Sequence, residues 1–217
     1  MRKRLLFVGV IVAVSLIIGR MEYNSRPDLL KNNAKEQQRK ISFFTEKHEW
    51  LLESFEYNYK ESPIIIEAEA TGDYQYAKQN LIQKVKIVKI IKGEEISNSQ
   101  DEVAYVIGNG WDEGNGVIAT GYINYMQKGD KYILFVNDIK YDERSDSKII
   151  VLNQDLMGMR YLNISEDSSF AYETDMDSIE YGKVKDSEFF CNDKGTLKAI
   201  MDMKHRVLSE FGIKTYY

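Results

Sequence analysis

Short apolar segments with a period of two, joined by turns too short to hold a helix, constrain this chain most strongly. The first runs from Ile64 to Thr71, where Ile and Ala largely alternate with Glu, and it ends at Gly72 and Asp73. Such alternation predicts a strand with one buried face, since successive side chains of a strand point to opposite faces. Strands that follow one another through short turns favour an antiparallel sheet, sandwich or barrel over an α/β fold.

Later segments continue this pattern. The apolar register of residues 81–91 slips at Ile87 and Val88, which predicts a β-bulge. The Gly-rich stretch 108–116 is interpreted as a flexible hairpin loop, and Val117–Met126 is expected to extend the sheet. The other predicted strands are 102–108, 131–137, 148–152 and 160–164.

Two stretches on either side of the strands predict helices. Residues 28–59 carry apolar residues at roughly helical spacing, and Pro63 ends the pattern because proline disfavours helix in the residue before it. Residues 197–211 form an amphipathic pattern followed by Gly212, a residue typical of the position just after a helix. The predicted class is mainly β (α+β), with an N-terminal helical anchor and stalk and a C-terminal amphipathic helix.

The N-terminus predicts a membrane anchor. Arg2, Lys3 and Arg4 precede an uncharged run, residues 5–19, which Arg20 closes. This is the pattern of a secretory signal or a signal-anchor, although the run is shorter than the roughly 20 residues of a usual span. Bulky or charged residues stand where signal peptidase needs small ones. An uncleaved anchor is therefore favoured over the alternative, secretion after cleavage.

The distribution of charge predicts the orientation of the chain. The first twenty residues hold four of the 29 basic residues and none of the 34 acidic ones, so residues 21–217 carry a net charge of −9. Basic residues before the span place the N-terminus in the cytoplasm and the rest outside. We therefore expect an anchor (1–20), a helical stalk (21–62) and an exported barrel domain with a C-terminal helix (63–217). The single Cys allows no internal disulfide, which fits a bacterial surface protein.

Residues 64–137 resemble the netrin/TIMP-like modules, in which a strand of pattern x-V-x-x-V-x-K-G precedes a strand of pattern G-x-x-Y-L-L-F. The matching residues are Val85, Val88, Ile90, Lys92 and Gly93, followed by Gly129, Tyr132, Leu134 and Phe135. The resemblance implies an OB-like antiparallel barrel of five strands in an exported protein. Inhibitory members of the family act through an N-terminal cysteine that coordinates a target's metal. Cys191, the lone cysteine, stands far from that position, so this mechanism does not carry over.

Trp111, Asp112 and Asn115 are the candidate ligand-binding residues. They lie in the Gly-rich stretch 108–116, and an exposed Trp at the tip of a loop would anchor a partner. The alternative is that Trp111 folds back onto the barrel. The glycines are spaced neither as in a dinucleotide-binding turn nor as in a P-loop, so no phosphate-bearing cofactor is predicted.

Glu173, Asp175 and Asp177 are the candidate metal ligands. They fall on one side of an extended strand and would gather carboxylates around Ca²⁺, which prefers several oxygen ligands. The alternative is a solvated acidic face. Cys191 follows two phenylalanines, a setting that predicts a buried thiol rather than a nucleophile. No cofactor is expected.

Three functions remain open on the sequence alone. The favoured one is a non-catalytic, membrane-anchored extracytoplasmic binding module that contacts the membrane through residues 5–19 and takes a protein partner. The others are a metal-dependent cell-surface enzyme that uses the acidic residues around 173–180 and an accessory subunit of a membrane complex. A nucleic-acid partner is not expected, because the chain carries a net charge of −5 and lacks an excess of basic residues.

Overall fold

The computed structural model gives the architecture of most of the chain after residue 38. It describes Ser15 and residues 39–42, 48–77, 80–93, 103–114, 117–143, 147–153, 159–165, 169–171 and 178–213. The predicted anchor, residues 1–20, lies outside this set except for Ser15. Across the residues that the structure describes, no helix is both long enough and apolar enough to cross a membrane.

Strands dominate the described part of the chain, which is therefore mainly β. The helices are α1 (His48–Glu61), α2 (Tyr181–Val184) and α3 (Lys194–Glu210). The strands are β1 (Lys40–Ser42), β2 (Ile64–Ala77), β3 (Asn80–Lys92), β4 (Val103–Gly114), β5 (Val117–Ala119), β6 (Lys131–Asp142), β7 (Ser147–Leu152), β8 (Tyr161–Asn163), β9 (Ser169–Ala171), β10 (Ser178–Glu180) and β11 (Phe189–Cys191).

Five strands close into a barrel. β2, β3 and β4 form an antiparallel meander, and β6 pairs antiparallel with the other side of β2. β7 pairs antiparallel with β6 and parallel with β4, where Ala104 lies opposite Lys148. This last ladder completes the ring β4–β3–β2–β6–β7, so each barrel strand has a neighbour on both sides.

Short strands extend the sheet beyond the ring. β7 pairs with only one end of β4 and of β6, and β5 and β8 supply partners for the other ends. β1 then pairs parallel with β5 and antiparallel with β10, while β9 and β11 form a separate parallel pair. These additions cover main-chain edges that would otherwise invite pairing with another chain.

The ladder between β2 and β3 contains a bulge at Val88. Glu67 pairs with Lys89 and the next residue, Ala68, pairs with Ile87, so Val88 is the extra residue. A bulge of this kind bends the strand and increases its twist, which helps a sheet to close. The sequence predicted a slip of register at Ile87 and Val88, and that prediction is confirmed.

The strand β6 is buried on both faces. Every residue from 132 to 136 is buried, although a half-buried strand would alternate. Phe135 lies opposite Ile65 of β2, and the rings of Phe55 and Tyr59 from α1 lie 6.2 and 6.4 Å from the Phe135 ring. Because α1 covers the outer face of the barrel here, β6 requires a continuous apolar run.

The helix α3 packs into the same apolar core as the barrel strands. Asp193 caps its N-terminus by accepting a hydrogen bond from the Thr196 amide at 2.5 Å. Arg206 Nη2 lies 3.5 Å from Glu56 Oε2 of α1, which links the two helices. The buried residues of α3 are Thr196, Leu197, Ile200, Lys204, Val207 and Leu208.

The predicted helical stalk, residues 21–62, differs from the structure in two respects. Lys40–Ser42 is a strand, because Ile41 is fully buried where β1 pairs with β5 and β10. α1 does not stand in solvent, since it buries Leu51 and Phe55 in the core. The part of the predicted stalk before Arg39 lies outside the described residues.

The prediction of a loop over residues 108–116 is wrong for residues 108–114, which belong to β4. Their main chain pairs with β5 and, at Trp111, with Asn80 of β3. Glycine is depleted in strands, so composition favoured a loop. The pairing on both sides of β4 overrides that preference.

The strand predicted over Val117–Met126 is also too long, because β5 ends at Ala119. Residues 121–126 are nevertheless buried. A side chain replaces the missing ladder partner there: Gln83 Nε2 donates to the Met126 carbonyl at 2.9 Å, and the Met126 amide donates to Gln83 Oε1 at 3.1 Å. Both main-chain groups of Met126 are thus satisfied without a neighbouring strand.

Gly72→Ala is expected to destabilise the protein more than Gly129→Ala. Both glycines have a φ of +87°, where a Cβ costs about 1–2 kcal/mol. A Cβ on Gly72 would lie 2.4 Å from Lys128 Cδ, whereas one on Gly129 would meet nothing within 4 Å among the described residues. Urea denaturation should give a loss of about 1 kcal/mol for Gly129→Ala and at least about 1 kcal/mol more for Gly72→Ala. Equal losses would exclude the clash with Lys128.

Candidate functional site

A polar cavity of about 200 Å³ lies at one end of the barrel. It forms where the segment after β5 turns into β6, beside the end of β8 and the segment between α2 and β11. Its lining residues are Asn124, Tyr125, Gln127, Asp130, Tyr132, Asn163, Asp186, Ser187 and Glu188. Most of these side chains carry hydrogen-bonding groups, so the cavity suits a polar ligand.

Asn124 holds one wall of the cavity. Its Nδ2 donates to the carbonyls of Val184 and Lys185 at 3.0 Å and of Ser187 at 2.8 Å. The main-chain amide of Asn124 donates to the Glu188 carbonyl at 2.7 Å. Carbonyls at the C-terminal end of a helix lack donors within the helix. At the end of α2 the Asn124 side chain is such a donor.

Tyr132 and Asn163 form the opposite wall. The buried Tyr132 hydroxyl accepts hydrogen bonds from the Gln127 amide at 2.7 Å and from Asn163 Nδ2 at 3.3 Å. Asn163 Nδ2 also donates to Asp130 Oδ2 at 2.8 Å. These shared bonds fix the side chains before any ligand arrives, which lowers the entropic cost of binding.

A buried ion pair supports the wall that Tyr132 and Asn163 form. Glu188 Oε2 bonds to Lys204 Nζ of α3, and the side chains of both residues are nearly inaccessible to solvent. Glu188 Oε1 accepts from the Asn163 amide at 2.7 Å, and the Lys204 ammonium lies 5.9 Å from the centre of the Phe189 ring. Each buried charge thus has partners that offset its loss of hydration.

Three tyrosines near the cavity are held in their neutral form. Burial raises the pKa of Tyr132 and of Tyr161 well above the ordinary value, and it raises the pKa of Tyr181 to about 12. The Tyr161 hydroxyl donates to the Asn124 carbonyl at 2.7 Å, and its ring meets the Tyr132 ring edge-on at 5.7 Å. At neutral pH these phenols act as hydrogen-bonding groups.

The thiol of Cys191 lies in β11 and is buried. Burial raises its pKa, and Sγ donates a hydrogen bond to the Asp193 carbonyl at 3.1 Å. A thiol with a raised pKa is a poor nucleophile, because the thiolate is the reactive form. The buried thiol predicted from the two preceding phenylalanines agrees with this geometry.

The candidate ligand-binding residues from the sequence occupy a different region. Trp111 and Asp112 lie in β4, with their main chains paired to Ala119 and Ile118 of β5. Trp111 is therefore in a strand and not at the tip of a loop. Asn115 lies outside the described residues.

The candidate metal ligands Glu173, Asp175 and Asp177 also lie outside the described residues, so their role stays a prediction. Among the residues that the structure does describe, no three His, Cys, Asp or Glu side chains come together in a way that could hold a metal ion.

The cavity residues come from four separate segments, and the sequence analysis missed them as a site. Asn124, Asn163 and Glu188 belong to no motif, and their proximity depends on long-range pairing. The one local signal is the sequence Lys128-Gly129-Asp130, which predicts a turn but does not by itself indicate a site.

Comparison with known proteins gives no family assignment: no protein-family model matches the chain, and no curated protein matches it significantly. Function is therefore inferred from the barrel and the cavity.

Lys204→Met is expected to lower the free energy of unfolding by about 3–5 kcal/mol, because it removes the Lys204 ammonium from the buried Glu188 carboxylate. The control is Lys183→Met, which removes an exposed cation 3.8 Å from Glu180 and should cost less than about 1 kcal/mol. Urea denaturation followed by circular dichroism measures both. Adding Glu188→Gln to Lys204→Met should recover part of the loss, since the amide still accepts from Asn163. A loss for Lys204→Met as small as the control's would contradict this account.

Proposed function

We propose that this chain is a membrane-anchored, extracytoplasmic binding module that is built on an OB-like barrel and carries out no catalysis. The observation that carries the proposal is the cavity of about 200 Å³ at the end of the barrel, whose polar wall is fixed by hydrogen bonds. Preformed concave sites with a few well-placed polar groups are the usual places for small ligands.

The strand arrangement supports the OB-like part of the proposal. Three strands in a meander followed by two more that close the ring give a five-stranded barrel of the Greek-key kind. Residues 64–137, which resemble the netrin/TIMP-like modules, span β2 to β5 and the first half of β6. The resemblance therefore covers three barrel strands and half of a fourth, while β7, which closes the ring, follows it in the chain.

Two titratable groups at the cavity, Tyr132 and Glu188, favour binding over acid–base chemistry. A general acid or base works best when its pKa lies near the operating pH. Burial raises the pKa of the Tyr132 hydroxyl away from that range, and Glu188 is committed to Lys204 and to the Asn163 amide. A neutral phenol and a carboxylate that is held in an ion pair suit recognition of a ligand.

The N-terminal sequence supports the membrane anchorage. An uncharged run, residues 5–19, follows three basic residues, and the chain beyond residue 20 is acidic. This pattern supports an N-terminus inside the cell and a barrel outside it.

A substitution that fills the cavity tests whether small ligands bind there. The full-length chain in lauryldimethylamine oxide micelles, whose headgroup contains no sugar, is screened by saturation-transfer NMR against a panel of sugars, amines and carboxylates. At least one compound should bind the unchanged chain and lose about tenfold or more in affinity, roughly 1.4 kcal/mol, in Ser187→Trp, which places an indole in the cavity. The exposed Tyr141→Trp change on β6 is the control and should leave binding intact. Absence of binding, or binding that Ser187→Trp leaves unchanged, would contradict a site in the cavity.

Protease added to intact cells tests the location. In cells that express the chain with a C-terminal epitope, the protease should remove the epitope, while a cytoplasmic reference protein stays intact. This follows because basic residues are retained on the cytoplasmic side of a span. An epitope that is protected in intact cells and digested only after permeabilisation would show the opposite orientation.

A further inference from the structure

The hydrogen bonds around the cavity leave the hydroxyl proton of Tyr132 uncommitted. The Tyr132 hydroxyl oxygen accepts from the Gln127 amide and from Asn163 Nδ2, so both of its hydrogen bonds use it as an acceptor. Its own proton has no acceptor in the described part of the chain. Tyr132 is only 2% exposed, and a buried hydroxyl proton without a partner costs free energy unless a ligand or water supplies one.

One carboxylate oxygen of Asp130 is also uncommitted. Asp130 Oδ2 accepts from Asn163 Nδ2 at 2.8 Å, whereas Oδ1 accepts from no described residue. Asp130 lines the same cavity as Tyr132 and lies two residues before it, immediately before β6. The cavity thus offers a free donor and a free carboxylate oxygen on adjoining parts of its wall.

The carboxylates at the cavity differ in how their charge is compensated. Asp186 lies 3.2 Å from Lys185 Nζ, and Glu188 is paired with Lys204. Asp130 has no cation within 4.0 Å among the residues that the structure describes. Asp130 is therefore the carboxylate that repels an anionic ligand and gives a strong hydrogen bond to a ligand donor.

These groups select among classes of ligand. An alcohol hydroxyl both donates and accepts, so neighbouring hydroxyls of one molecule satisfy Asp130 Oδ1 and the Tyr132 proton together. An ammonium group only donates and would leave the Tyr132 proton without an acceptor. A carboxylate or phosphate only accepts and would meet the charge of Asp130.

From this complementarity we infer that the cavity binds a neutral polyhydroxy ligand, a saccharide or polyol unit, between Asp130 and Tyr132. The inference rests on the proposed function, since it names the ligand class of the same cavity. The volume of about 200 Å³ lies below the roughly 300–1,000 Å³ of pockets for drug-sized molecules. A single sugar ring, free or at the end of a chain, is therefore the unit that the cavity accepts.

Titration of the full-length chain in lauryldimethylamine oxide micelles tests the ligand class. The probes are glucose, N-acetylglucosamine and myo-inositol, with ethylamine and acetate as the other classes, and saturation-transfer NMR measures binding. At least one polyhydroxy probe should bind saturably, and Asp130→Asn should weaken it about tenfold or more, because hydrogen bonds to charged groups are the stronger ones.

The Asp130→Asn variant is suited to this test. The asparagine keeps one oxygen for Asn163 Nδ2 and presents an NH₂ group where Oδ1 stood, so the wall retains its shape. Tyr132→Phe removes the free donor and should weaken the same probe. The matched control is Asp186→Asn, which neutralises a carboxylate at the same cavity whose side chain is 83% exposed and should leave affinity within about twofold.

The outcomes separate this inference from the proposed function. Binding of ethylamine or acetate in the cavity, with no polyhydroxy probe bound, would overturn the ligand class and leave the cavity as a binding site. Polyhydroxy binding that Asp130→Asn leaves unchanged would overturn the assignment to Asp130. If no probe of any class binds, both proposals fail.

Discussion

The ion pair between Lys204 and Glu188 is the interaction on which the other parts of the structure depend. Glu188 reaches Lys204 of α3 with one carboxylate oxygen and the Asn163 amide of β8 with the other, while its carbonyl accepts from Asn124. One residue thus joins the C-terminal helix, a strand paired to the barrel and the segment that walls the cavity. Burying two charges is favourable only while every partner is in place. The shape of the cavity is therefore coupled to the docking of α3.

The cavity wall illustrates how polar side chains specify a structure that apolar packing alone leaves undetermined. Asn124 satisfies the carbonyls that end α2, and Gln83 satisfies both main-chain groups of Met126. The segment between β5 and β6 pairs with β11 only through the bridge between Ile123 and Phe189, and these side-chain amides supply further main-chain partners. A network in which each buried group has its partner is rigid, and the loss of one member affects the others.

The parts of the fold that the sequence predicts are those with a long periodic signal. The strands near Ile64 and Lys131, and the bulge at Val88, follow from alternation over many residues. β1, β9, β10 and β11 have three residues each, too few to show a period. The cavity was not predictable, because Asn163 and Glu188 meet only after β8 and β11 reach their places, and nothing local marks an asparagine as part of a long-range network.

The parallel ladder between β4 and β7 has a consequence for the order in which the barrel forms. The meander of β2, β3 and β4 joins neighbours in the chain, whereas Ala104 must find Lys148 across two intervening strands. Loop-closure entropy opposes such distant pairing until the rest of the sheet brings the two edges together. The ring therefore closes last, and until it does β4 and β7 present open edges to other chains. Closure of this pair removes the open edges, at which unpaired strands invite aggregation.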